Sequence, residues 1–229
     1  MALNVLDRVG RSEDSSSDRA YLAIERRLVT GRIPPRSLIN EGELCKALAL
    51  GRTPVRVALQ RLASHGLVEI IARRGIFATS MDFQGQLLIL EMRRELDPQL
   101  FFAASHRATA KEKELIFAMS EEVRQASRDG NAEAHMEIDL RFKQLLLKIA
   151  SNPVLTRAIV PVHSLSRRFY FMNTTEADPG VDDALAHLMA QIARGSDSLI
   201  RMSSDVLIDE LDRFARETIL SRLGIVVDR

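Results

Sequence analysis

The chain has 229 residues, 46% hydrophobic and 28% charged, with a formal net charge of +1. That length holds two ordinary domains or one large one, and the composition excludes a disordered, collagen-like or disulfide-stapled chain. Aromatic residues make up 5% and there is no Trp, so a core of aliphatic side chains on helices is expected.

No stretch approaches the roughly 18 consecutive apolar residues of a membrane span. Residues 1–17 lack an apolar segment followed by a cleavage site, so no secretory leader is expected there. They read instead as a flexible, Ser-rich N-terminus. The single cysteine, Cys45, cannot close an internal disulfide; it reads as a buried thiol and fits a reducing cytoplasm. The charge is unevenly placed. Residues 1–80 carry thirteen Lys/Arg against eight Asp/Glu, and residues 81–229 nineteen against twenty-three. A basic front and an acidic back point to a polyanion meeting the front half.

The first helix is expected over about Asp18–Val29, capped by Ser17, burying Tyr21, Leu22, Ile24 and Leu28. Ile33-Pro34-Pro35 is a stiff, non-helical connection. Asn40 and Glu43 then form a capping-box signal for a short helix over Glu41–Leu48. A turn leads to a third helix over Thr53–His65, stopped by Gly66. Strands are read at Leu67–Ile71 and Ile76–Thr79, joined through Ala72-Arg73-Arg74-Gly75. Beyond Asp82 strand signals vanish. Six amphipathic helices follow at about Phe83–His106, Ala110–Arg128, Ala132–Ala150, Val154–Met172 with Pro161 as a kink or break, Asp182–Arg194 and Asp197–Leu223. The expected fold is therefore mainly α. Residues 18–80 form a winged helix-turn-helix DNA-binding domain, and 81–229 an antiparallel all-α bundle.

In the third helix Val55, Ala58, Leu59 and Leu62 recur at helical spacing and are expected to be buried. Arg52 and Arg56, four residues apart, then share the exposed face of its N-terminal end. A guanidinium fork there can bond guanine O6 and N7 together. Thr53 can meet a phosphate or a thymine methyl, and Gln60 a backbone phosphate. Arg73 and Arg74 at the hairpin tip suit the minor groove, with Gly75 permitting close approach. An isolated pair of arginines would be solvated charge; this order of cap, turn, arginine pair and basic wing makes them DNA contacts.

The run Leu48-Ala49-Leu50-Gly51-Arg52-Thr53-Pro54-Val55-Arg56, continued by Ala58-Leu59, Arg61-Leu62, Gly66-Leu67-Val68 and Arg73-Arg74-Gly75, resembles the GntR family of regulators. The resemblance implies that Arg52 and Arg56 read bases while Thr53, Arg74 and Gly75 support them. It departs from the family at Ala49, where Gly is frequent, at Gly51, where Ser or Thr is frequent, and at Gly42, where a basic contact is frequent. The back half resembles the FCD effector domain of the FadR subgroup through Glu91-x-x-Arg94, Asp139-Leu140-Arg141-Phe142, Asn152-Pro153 and a long last helix. That implies a homodimer binding a small organic acid inside the bundle.

Many FCD domains hold a divalent metal on an aspartate, a histidine four residues later and two further histidines on the last two helices. Here Asp139 is followed at that spacing by Lys143, and the later positions fall near Leu185 or Ala186 and Leu207. An ammonium repels a metal, so no metal or other cofactor is expected. Arg94, Asp139, Lys143 and the neighbouring His187 are instead read as an effector pocket; the alternatives are a surface Asp–Lys pair and a surface histidine. His106, His135 and His163 have no partner spacing that indicates chemistry. The expected function is a ligand-responsive regulator, expected to be a repressor, gripping palindromic double-stranded operator DNA as a dimer. A DNA binder whose back domain senses nothing, and an enzyme acting on a small carboxylate, are the competing readings. No nucleophile–base pair or phosphate loop supports the enzyme, and no catalytic residue is assigned.

Overall fold

The computed structural model describes residues 15–174 and 178–224. Most of the flexible segment expected at 1–17, part of the break before the eighth helix (175–177) and the last five residues lie outside them. The described residues form nine α-helices and three short strands. They divide into two compact units, the described residues within Met1–Asp82 together with Val160–Met172, and those within Phe83–Ile159 together with Asn173–Arg229.

In the first unit α1 spans Ser16–Val29. It starts earlier than Ser17 capping would allow, because the Ser15 side chain accepts from the Asp18 N–H. Tyr21, Ile24 and Leu28 are buried, but Leu22 is exposed, on the opposite side of the helix. A strand absent from the sequence reading, β1 (Leu38–Ile39), pairs with β3 (Gly75–Ala78), which also pairs with β2 (Val68–Ile71). The order is β1-β3-β2, all antiparallel. Two residues are too few to show an alternating pattern.

Helix α2 (Glu41–Leu48) is capped by Asn40, whose Oδ1 accepts from Gly42 N and Glu43 N. The expected reciprocal bond differs: Glu43 accepts from the Asn40 side-chain amide at 3.3 Å, not from its backbone. Helix α3 (Arg52–Ser64) begins after Gly51, which takes the N-cap backbone conformation without a side-chain bond. Val55, Ala58, Leu59 and Leu62 are all buried against α1 and the sheet. Cys45 is only partly buried, against the edge of this core.

The second unit contains α4 (Phe83–Arg107), α5 (Ala110–Arg128), α6 (Ala132–Ala150), the start of α7 (Pro153–Asn173), α8 (Pro179–Arg194) and α9 (Asp197–Arg222). Local chemistry sets their starts. Thr109 and Glu112 close a capping box on α5, Asn152 caps α7 with Pro153 in the first turn, and Asp178 caps α8 ahead of Pro179. Helices α4 and α9 run antiparallel, with Arg222 stacked 5.1 Å from the Phe83 ring at one end and His106 2.8 Å from Asp197 at the other. Six helices follow the wing, as expected, and α7 runs through Pro161 without a break. Its segment Val160–Met172 nevertheless groups with the first unit, whose core Leu165 packs against.

Candidate nucleic-acid interface and ligand site

Because α3 buries Val55, Ala58, Leu59 and Leu62, the opposite face of its first two turns must face outward. Arg52, Thr53 and Arg56 are all exposed there, and so is Gln60. Arg56 is not free: its Nη2 donates to Glu41 Oε2 at 3.0 Å from the first turn of α2. Glu41 was legible only as part of the capping turn, because its partner lies on another helix. Both partners are partly exposed, so the pair contributes about 0–1 kcal/mol and yields readily to a base or phosphate. It holds the guanidinium at the first turn of α2 meanwhile.

The wing is the β2–β3 hairpin, whose connecting residues Ala72, Arg73 and Arg74 are exposed. Gly75 is demanded by the fold itself. Its φ is +116°, and a Cβ there would lie 2.9 Å from Leu38 Cδ1. Arg73 takes a positive φ of 61°, which turns the chain at the tip. Behind α3, the Tyr21 hydroxyl and His65 Nδ1 lie 2.9 Å apart, and the Arg61 guanidinium sits 4.5 Å over the Tyr21 ring. Burial, and then the Arg61 charge, hold the His65 imidazole below its ordinary pKa.

The second unit carries charge in its interior. Asp139 and Lys143 are both buried, one turn apart on α6. Lys143 Nζ lies 5.3 Å from the Phe101 ring of α4, which places α4 over that face. Two other expected pocket residues are elsewhere. Arg94 is part-exposed and donates to Asp209 on α9 at 2.6 Å, with Asp205 at 3.7 Å. His187 is exposed and lies 3.3 Å from the Gln191 amide.

In each case the rotation along the helix decides. Arg93, one residue earlier than Arg94, is the buried arginine; its Nε and Nη2 both donate to Asp97, itself fully buried. Among the histidines, His135 on α6 and His163 on α7 are buried, and His135 lies 2.5 Å from Asp182 on α8. Its signal was present in the sequence: His135, Asp139 and Lys143 recur at four-residue spacing and share one face of α6. The structure thus buries His135, Asp139 and Lys143 along one face of α6, with Asp182 beside His135, while Arg94 is part-exposed and His187 exposed.

Residues 16–78 match the family described as bacterial regulatory proteins, gntR family, and residues 88–214 match the FCD domain. The chain belongs to the GntR family. It is a transcriptional regulator of the GntR type with an FCD domain, the architecture of the FadR subgroup. It is similar to the galactonate operon transcriptional repressor of Escherichia coli (strain K12), 26% identical over 176 residues, 68% of this chain and 76% of that protein. It is also similar to the Nta operon transcriptional regulator of Aminobacter aminovorans, 26% identical over 188 residues, 73% of this chain and 87% of that one. In fold it is similar to E. coli McbR/YncC, with a TM-score of 0.74 at 16% identity, over 90% of this chain and 99% of that one.

The metal common in FCD domains does not fit this regulator's residues. Lys143 stands where a histidine ligand is expected, and Leu185, Ala186 and Leu207 are buried aliphatics. None of these can donate to a divalent ion. Among the described residues, no group of three or more His, Cys, Asp or Glu is placed to hold one. No helix among them is long and apolar enough to cross a membrane.

Proposed function

We propose that this regulator is a cytoplasmic, non-enzymatic repressor that binds a two-fold symmetric operator as a homodimer and is released by a small organic acid. Arg52 and Arg56 read bases in the major groove, Thr53 supports them, and Arg73, Arg74 and Gly75 present the wing to the flanking minor groove. The carrying observation is the exposure of Arg52, Thr53 and Arg56 on one end of α3, whose other face is locked into the core. Competition binding on an operator duplex against random DNA tests it: Arg52→Ala or Arg56→Ala should abolish most of the preference.

The dimer is supported by apolar side chains left exposed on the second unit, Leu88 and Met92 one turn apart on α4. Met92→Lys should lower the sedimenting mass at micromolar concentration without lowering helix content.

For the effector, the reading is supported by the buried Lys143, a cation at the position where related domains use a metal ligand and a charge that a carboxylate pairs with. The galactonate operon repressor is a relative named for a sugar acid. Asp139, His135 and Asp182 supply polar partners for the rest of such a molecule. Arg94 and His187, read as pocket residues from the sequence, are left out of this proposal by their exposure.

A further inference from the structure

The first unit includes Val160–Met172, a stretch inside the FCD match. What this segment does there is visible at Arg168. Its side chain is 2% exposed, although it carries a charge. Nη1 donates to Thr79 Oγ1 at 2.8 Å and Nη2 to the Thr79 carbonyl at 2.8 Å. Thr79 is the residue immediately after β3. Its N–H donates to the Leu67 carbonyl at 3.1 Å, and its hydroxyl lies 2.9 Å from the Gly66 carbonyl. Thr79 therefore ties the end of one wing strand to the start of the other, and Arg168 grips that tie twice.

The surroundings make the grip specific. Leu165 approaches the Cα side of Gly66, where a Cβ would meet its methyl at 3.8 Å. Ser164 hydrogen-bonds the buried Glu25 of α1. A buried guanidinium released from its acceptors costs several times a surface hydrogen bond, so the two-point contact holds its geometry. The hairpin above it is only four residue pairs long. At about 3.4 Å per residue, a 10° rotation at its root moves the tip by about 2 Å, enough to break a phosphate or minor-groove contact.

We propose that Arg168 is a positioning residue for the wing: by clamping Thr79 it fixes the angle at which Arg73 and Arg74 meet DNA. The DNA-reading unit is then incomplete without a helix segment that the family assigns to the ligand-binding half. The proposal rests on the wing touching DNA, and the test separates the two.

The test uses the full chain and an operator duplex selected from randomised DNA by the wild type. Arg168→Ala, Arg74→Ala and the double variant are compared by gel shift, with circular dichroism melts as a control. Arg74→Ala should weaken operator binding at least threefold, and Arg168→Ala by a similar factor. The double variant should lose no more than the larger single loss, because both changes remove one wing contact. The base preference set by α3 should persist in all three. Losses that multiply in the double variant, or an Arg168→Ala chain with full affinity, overturn the proposal. A silent Arg74→Ala sinks the wing reading with it. If Arg168→Ala does not fold, Thr79→Val removes one acceptor while keeping the shape. It should weaken binding less, again without multiplying with Arg74→Ala; multiplying losses overturn the proposal equally.

Discussion

In the proposed reading Arg56 meets two demands at its position, since it must be free for a guanine edge yet is held by Glu41 at 3.0 Å. Losing either base-reading arginine should cost on the order of 1–3 kcal/mol of discrimination, measured as the operator-to-random ratio in competition binding. Glu41→Gln should lower the same ratio by a different route. Removing a carboxylate from the DNA-facing side raises affinity for random DNA more than for the operator, so the ratio falls although binding tightens. His65 supplies a pH prediction. Its folded pKa lies below its ordinary value, so the unfolded chain binds more protons in the window just below that value. The stability this histidine contributes is then present above pH 6.5 or so and is lost as the pH falls. His65→Gln should flatten the dependence of the unfolding midpoint on pH between about 7 and 5; an unchanged slope would show that another group carries it. Arg52 and Arg56 were legible in the sequence because the helix alone fixes their spacing. Glu41 as a partner, and the buried His135–Asp182 contact, were not, because each depends on how two helices meet.

At the scale of elements, caps and turns did most of the specifying. Asn40, Thr109 and Asn152 each start a helix where the sequence places one, and the apolar spacing of α3 gave its buried face without error. Where the reading slipped, neighbouring polar residues competed: Ser15 outranks Ser17, and Asp178 with Pro179 starts α8 ahead of Asp182. Strand β1 stayed hidden because its pairing with β3 is long-range. Two helices, α2 and α6, end on a non-glycine residue in the left-handed region, Ala49 and Ser151. Ala49 closes α2 in the left-handed region, with φ 51° and ψ 41°. That conformation costs a non-glycine residue about 1–2 kcal/mol, partly offset in glycine by its greater freedom when unfolded. Ala49→Gly should therefore gain about 0.5–1 kcal/mol, raising the melting midpoint by about 1–4 °C. A lower midpoint would show that the left-handed turn is not strained.

For the whole molecule, the sequence separated a basic DNA-reading front from a helical back, and the family matches fall on both. It did not show that Val160–Met172 joins the front unit. That depends on Arg168, Ser164 and Leu165 finding partners far away in the chain, which no local pattern encodes. The interior of the FCD unit makes a prediction of its own. If Lys143 replaces the metal as the cationic anchor, a carboxylate that raises the melting midpoint of the wild type should not raise that of Lys143→Met, and chelators should leave the wild-type response unchanged. A response abolished by chelation would restore a metal to the pocket.

The central claim is that Arg52 and Arg56 read a specific two-fold DNA sequence. Its most direct test is selection from a randomised duplex library with the purified chain, repeated with Arg56→Ala. The wild type should enrich a palindrome with guanine fixed at the same position in each half-site, and the variant should lose that guanine while retaining the flanks. No enriched palindrome, or one whose base preferences survive Arg56→Ala unchanged, would contradict the account.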